Sequence, residues 1–177
     1  MNYNEDKTKL RGSVDLKLIG PDGNIKESRY IPNLVVQSGK TYIATRIIGT
    51  TAGTNTTSTG TSCMTHMAIG TSSATAATTD TSLAAEVTFG GDINSYVRAA
   101  LTTASYSTGI VTYVSTFGVN NPQRINSSNT TGITEAGIFN SSQMQTSGGT
   151  MLCRTTFNAV NKGNDDTLQI TWTITVS

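Results

Sequence analysis

The sequence predicts an all-β fold: an antiparallel β-sandwich or jelly-roll-like domain that opens with an N-terminal hairpin and carries one short helix. Three observations predict it. The chain ends on LQITWTITV, where Leu168, Ile170, Trp172, Ile174 and Val176 alternate with Gln169, Thr171, Thr173 and Thr175. That is the period of a strand with one buried face and a threonine ladder on the other. Strand-like runs recur between clusters of Gly, Asn, Asp and Ser, the spacing of a two-sheet β domain. One stretch alone carries a helical stripe, so the crossovers that a parallel α/β sheet needs are missing.

In chain order, residues 1–12 are polar and mixed in charge and read as a flexible arm, leaving 13–177 as a single domain. SVDLKLI places Val14, Leu16 and Leu18 on one face, GPDGN turns, and IKESRYI returns as the second strand of a hairpin that Pro32 closes. Leu34 to Val36 leads into a helix over 39–48, with Ser38 as N-cap and Gly49 as stop. The Gly39-Lys40-Thr41 at its start imitates the end of a phosphate-binding loop. The glycine that such a loop requires five positions earlier is Leu34, so the stretch is not a P-loop.

Residues 49–62 carry one apolar side chain and predict an exposed Thr-rich loop. CMTHMAIG is a short buried strand. TSSATAATTDTSLAAEV is a small-residue loop with a helical turn near Leu83. Strands INSYVRAALTTASY and IVTYVSTFGV follow, separated by Ser107-Thr108-Gly109, and NNPQRINSSNTTG is a polar loop. ITEAGIFN and TMLCRTTFNAV are strands, and NKGNDD turns into the last one.

The charged share is 13% with a net charge of +1, about half the roughly 25% of an ordinary soluble domain. No basic field exists to attract nucleic acid or anionic lipid, and no run has the length of a membrane span. The start MNYNEDKTKLRG is not a signal peptide, so Cys63 and Cys153 are expected to be reduced and structural.

Candidate chemistry is sparse. His66 has no nucleophile or carboxylate beside it in sequence, and a structural strand histidine is expected. The single His and two Cys do not have the spacing of a zinc site. A glycosidase needs two facing carboxylates. The carboxylates Asp80, Glu86, Asp92, Glu135, Asp165 and Asp166 offer no marked pair, and Asp165-Asp166 reads as a solvated hairpin tip rather than a calcium site. Glu135, Arg98 and Arg154 lie inside apolar strands. Buried charges must pair, so a structural network in which Glu135 meets an arginine is expected. No catalytic residue, metal site or cofactor is expected.

The ordered motifs "IGT…TDT.L..E" (Ile69 to Glu86), an Arg-bearing strand (Arg98), "I.EAGIF" (Ile133 to Phe139), "G.ML.R..F" (Gly149 to Phe157) and "L.I.W.I" (Leu168 to Ile174) together resemble a family of tailed-bacteriophage virion proteins: small β-rich head-decoration, cement or fibre-related proteins. The resemblance spans Val14 to Val176, without the insert at 49–62. It implies a non-enzymatic component of the virion, made in the host cytoplasm. As a decoration protein it would bind the major capsid protein on the capsid surface as a homo-oligomer, a trimer being the form expected. The arm, through Tyr3, Lys7, Lys9 and Arg11, is the candidate tether. The alternative is a head or tail fibre module that binds host-surface glycans, with Tyr96, Tyr106 and Tyr113 as candidate stacking residues.

Overall fold

Strand β1 (Leu10–Ile19) and strand β2 (Ile25–Val35) form the N-terminal hairpin. Helix α1 (Gln37–Ile48) follows, then β3 (His66–Gly70), β4 (Ala99–Ser107), β5 (Ile110–Phe117), β6 (Thr130–Phe139), β7 (Met151–Gly163) and β8 (Thr167–Val176). The structure is a computed structural model and describes residues 10–48, 63–87, 98–121, 130–143 and 149–176. The expected exposed loop at 49–62, the stop at Gly49, Tyr96, and the arm residues Tyr3, Lys7 and Lys9 lie outside the described residues.

Every strand pair is antiparallel. The strands close in the order β1-β2-β7-β6-β3-β4-β5-β8. The molecule is therefore a closed eight-stranded barrel with one short helix, not the expected open sandwich or jelly roll. The reason is physical: alternation of buried and exposed residues is the same in both architectures, and closure depends on whether sheet edges meet. Here they meet over short seams. β2 joins β7 at Leu34↔Arg154 and Val35↔Cys153, and β3 joins β4 at His66↔Ala100 and Met67↔Ala99.

Below its two backbone-paired positions the β2–β7 seam is laced by side chains. Thr155 Oγ1 donates to the Pro32 carbonyl at 2.8 Å. Arg29 donates to the carbonyls of Asn158 at 2.5 Å and Ala159 at 3.1 Å, and pairs with Glu27 on its own strand. Lys26 Nζ meets Asp166 at 2.6 Å. This explains why Pro32 does not end β2. It has no N–H to donate, but its carbonyl supports the crossing to β7.

The inward residues interlock by register. Val14 faces Trp172, Leu16 faces Ile170 and Leu18 faces Leu168 across β1–β8, while Phe117 faces Leu168 across β5–β8. All are buried, together with Met67, Ile69, Ile133, Ala136, Ile138 and Cys153. Cys63 is exposed and no disulfide joins it to Cys153.

Other local expectations change. Leu10 and Arg11 belong to β1, with Arg11 opposite Thr175, so the barrel claims the last residues of the expected arm. Ser38 lies inside α1 and does not cap it: its hydroxyl donates to the Met151 carbonyl at 2.8 Å. Gly39 packs so tightly on β7 that a Cβ there would stand 2.1 Å from the Leu152 carbonyl oxygen, so the GKT glycine serves packing. The segment near Leu83 is irregular, with bends at Ser82, Ala84 and Ala85, and reaches an isolated bridge at Gly70↔Glu86 rather than forming a helical turn.

The last hairpin tip is not fully solvated. Asp165 is exposed, but Asp166 is buried and accepts the Gly163 N–H at 2.9 Å. Burial pushes the Asp166 carboxyl up, and Lys26 with the Gly163 N–H outweighs it, holding it below the usual range. Next to it Lys162 is buried, with Nζ donating to the Gly118 carbonyl at 2.9 Å, and burial pushes its ammonium down to about 8.

Trp172 is fully buried between β1 and β5. Trp172→Ala should lower the unfolding free energy by about 3–5 kcal/mol, read from the midpoint of a denaturant titration; an unchanged midpoint contradicts the packing.

Candidate functional site: a loop locked by two buried arginines

The outer face of β3–β6–β7 is covered, and among the described residues nothing covers the outer face of β2–β1–β8–β5–β4. The cover is the 71–87 segment. It lies over Ala68, Phe139 and Met151, with Leu83 and Val36 completing a second apolar cluster outside the barrel wall. In the middle of that covered face stand Glu135 and Arg154, brought there by strand alternation: Ile138 and Cys153 face inward, and Glu135 and Arg154 face out under the loop.

Glu135 is 0% exposed. Its two oxygens accept the N–H of Ala85 at 2.7 Å and of Ala84 at 3.1 Å, so a barrel carboxylate binds the loop backbone directly. Arg154 donates to Glu135 from Nε at 2.9 Å, and its terminal nitrogen stands 2.8 Å away. The same guanidinium reaches Asp80 at 2.7 Å and donates to the Ala74 carbonyl at 3.0 Å. Burial alone would lower the Arg154 pKa, but Glu135 and Asp80 outweigh it and raise it. Burial raises the Asp80 carboxyl, while the Ala77 N–H and Arg154 together hold it below the usual range. An arginine fork suits this task because its donors are fixed in a plane and can serve two carboxylates and a carbonyl at once.

Arg98 forms the second lock. It donates to both oxygens of Glu86, at 2.7 and 3.0 Å, and its guanidinium lies 3.4 Å over the Phe139 ring. Both side chains are almost wholly buried. Backbone bonds tie down the ends of the loop, from Thr71 N–H to the Ala85 carbonyl and from Val87 N–H to the Ile69 carbonyl, both at 2.9 Å. Gly70 makes the approach possible: a Cβ there would lie 2.5 Å from both the Ala85 carbonyl oxygen and Glu135 Oε1.

The expected network is thus two pairs. Glu135 meets Arg154, while Arg98 is taken by Glu86 rather than by Glu135. Asp80 and Glu86 were both visible as carboxylates in the sequence, but nothing in their spacing named their partners. His66 begins β3, with Nδ1 2.7 Å from Thr65 Oγ1; burial first, and then the charge of Arg98, lower its pKa. Among the described residues no group of three or more His, Cys, Asp or Glu could hold a metal ion.

On the bare side, outward residues of β8, β5 and β4 are hydroxyl-rich and uncharged: Thr171, Thr173 and Thr175 beside Thr112, Val114 and Thr116, then Thr103 and Ser105. At the β1–β2 end a shallow depression of about 500 Å³ is lined by Arg11, Gly12, Ser13, Tyr30 and Thr175. Tyr30 is 78% exposed and Tyr106 88% exposed, whereas Tyr113 is half-buried, and burial pushes its hydroxyl up to about 12. Tyr30 was not among the expected stacking residues; the structure places it opposite Asp15, on the outward phase of β2. Among the described residues no helix is long and apolar enough to cross a membrane.

Set against known protein families, curated proteins and solved structures, the chain matches none.

Removing one member of a buried ion pair strands the other. Glu135→Ala should cost about 3–5 kcal/mol, while the double variant Glu135→Met with Arg154→Met should cost less. Denaturant titration of both checks this; a single-variant cost under the double-variant cost contradicts the lock.

Proposed function

We propose that this protein is a non-enzymatic structural component of a tailed-phage virion that binds the major capsid protein and reinforces the capsid exterior as a homo-oligomeric decoration, or cement, protein. The observation that carries the reading is the division of labour between the two faces. The buried charges Glu86, Arg98, Glu135 and Arg154 are engaged in locking a loop to the barrel, and on the opposite side β8, β5 and β4 offer a surface of short hydroxyl side chains. Such a surface suits dense assembly, because Thr and Ser lose less rotamer freedom on contact than Lys or Glu do. A rigid body with a pre-ordered face also loses little on binding. The resemblance to virion proteins supports the same reading, since its motif residues Asp80, Leu83, Glu86, Arg98, Glu135 and Arg154 are those that build the locked wall.

One observation favours a second reading, a fibre or adhesion module for host-surface glycans. The depression with exposed Tyr30 offers an aromatic face, the Arg11 guanidinium and the hydroxyls of Ser13 and Thr175, the mixture a sugar ring can stack on and hydrogen-bond to.

Co-sedimentation with expanded capsid shells separates the two. The full chain should pellet with shells, and deletion of residues 2–9, which spares β1, should weaken retention if the arm is the tether. Equal retention of both forms removes the arm from the mechanism. If the protein ignores shells but binds host cells, and Tyr30→Ala abolishes that binding, the adhesion reading replaces the cement reading.

A further inference from the structure

Among the described residues, strand β4 has one covered edge and one open edge. β5 runs along the first from Leu101 to Ser107. Along the second, β3 pairs only with Ala99 and Ala100, and the Thr65 carbonyl accepts the Leu101 N–H at 2.9 Å. Past that point Thr102 to Ser107 are exposed at every position, so both faces of the strand and its edge meet solvent. Among the described residues no strand lies beside them.

Open edges recruit other strands, and proteins blunt them with lysines, prolines or bulges along the edge. This hairpin carries few such devices. From Ala99 to Asn121 the chain has no charged residue and no proline. The only register shift falls at Leu101/Thr103, where the open stretch begins. The open stretch presents the aromatic Tyr106, 88% exposed.

We infer that this edge pairs with the same edge of a second copy, antiparallel across a twofold axis, with Ser105 opposite Ser105 of the second copy. The phase of the hairpin selects this register. Thr108 and Gly109 both have positive φ, 45° and 77°, which makes Ser107 and Ile110 the close pair flanking a two-residue turn. The backbone groups of Ser107 and Ser105 then face β5, and those of Tyr106 and Ala104 face outward. Centring the twofold on Ser105 sets Ala104 of each copy opposite Tyr106 of the other. Outward donors meet outward acceptors, and each exposed ring lies against a methyl group rather than another ring. The lack of charge makes self-pairing permissible, because a strand set against its own sequence brings any charge near its like. Isologous pairing also closes both open edges at once and stops growth at two copies. The five-stranded bare faces then join into one surface. The inference specifies the homo-oligomer of the proposed function, as a twofold dimer in place of the trimer expected from the resemblance, and it does not depend on capsid binding.

Sedimentation velocity of the full chain across a concentration series tests it. The wild-type protein should show a reversible monomer–dimer equilibrium. Ser105→Lys and Ser105→Glu, at an exposed outward position, should leave the thermal midpoint in place and each weaken dimerisation by about tenfold or more, since like charges then face each other across the axis. An equimolar mixture of the two variants should recover a heterodimer. A wild-type protein that stays monomeric or forms trimers overturns the inference, as do charge variants that dimerise like the wild type. A dimer that fails to pellet with shells overturns the capsid reading alone, and a monomer that pellets overturns this inference alone.

Discussion

A buried carboxylate that accepts hydrogen bonds from a loop and from an arginine at the same time organises this molecule. Glu135 sits on a β6 position that the strand's alternation turns away from the barrel interior. An isolated charge there would be prohibitively costly to bury. It is buried because the 71–87 segment brings two N–H groups and β7 brings a guanidinium, so the anion is compensated on every side. The loop in turn has few apolar side chains to hold it down, Leu83 and Val87 being the buried ones. The charge and its cover therefore depend on each other. Remove the loop and Glu135 and Arg154 face water; remove Glu135 and the loop loses its anchor while Arg154 is left half-paired.

The consequences reach the rest of the barrel. Arg154 is also one of the two positions at which β2 pairs with β7, so the residue that locks the loop stands at a closure seam. Arg98 stands just before β4, next to the other seam, where β3 meets β4 over two positions. Short backbone seams would be weak points in a barrel, and each has a buried arginine cluster beside it. Among the described residues the opposite wall has no such cover. Its strands pair over eight to ten positions along β1–β2, β1–β8 and β5–β8 and keep a threonine face free for contact.

Much of this was legible in the sequence. The alternation in LQITWTITV gave the inward set of β8, and VDLKL gave that of β1, because a strand with one buried face writes its period directly into the chain. Closure was not legible, since edge pairing at Leu34–Val35 or Ala99–Ala100 leaves no periodic trace. Pro32 misled because its missing N–H argues against a strand only where that N–H is needed. In the locked site the charged residues inside apolar strands were visible as a network, but the partners were not: Asp80 and Glu86 lie in a loop, 74 and 12 residues from the arginines they meet, with no spacing that names those partners. Tyr30 escaped notice because a single exposed aromatic in a mixed-charge strand carries no pattern of its own.

The most direct test of the central claim is native-state hydrogen exchange at the amides of Ala84 and Ala85. If their carboxylate acceptor is integral to the fold, these loop amides exchange only through global unfolding, with the same free energy and the same denaturant dependence as the amides of β6 and β7. Exchange of the Ala84 and Ala85 amides through a low-energy local opening, while Ile138 and Cys153 stay protected, would show that the loop is merely laid on the barrel and would contradict the account.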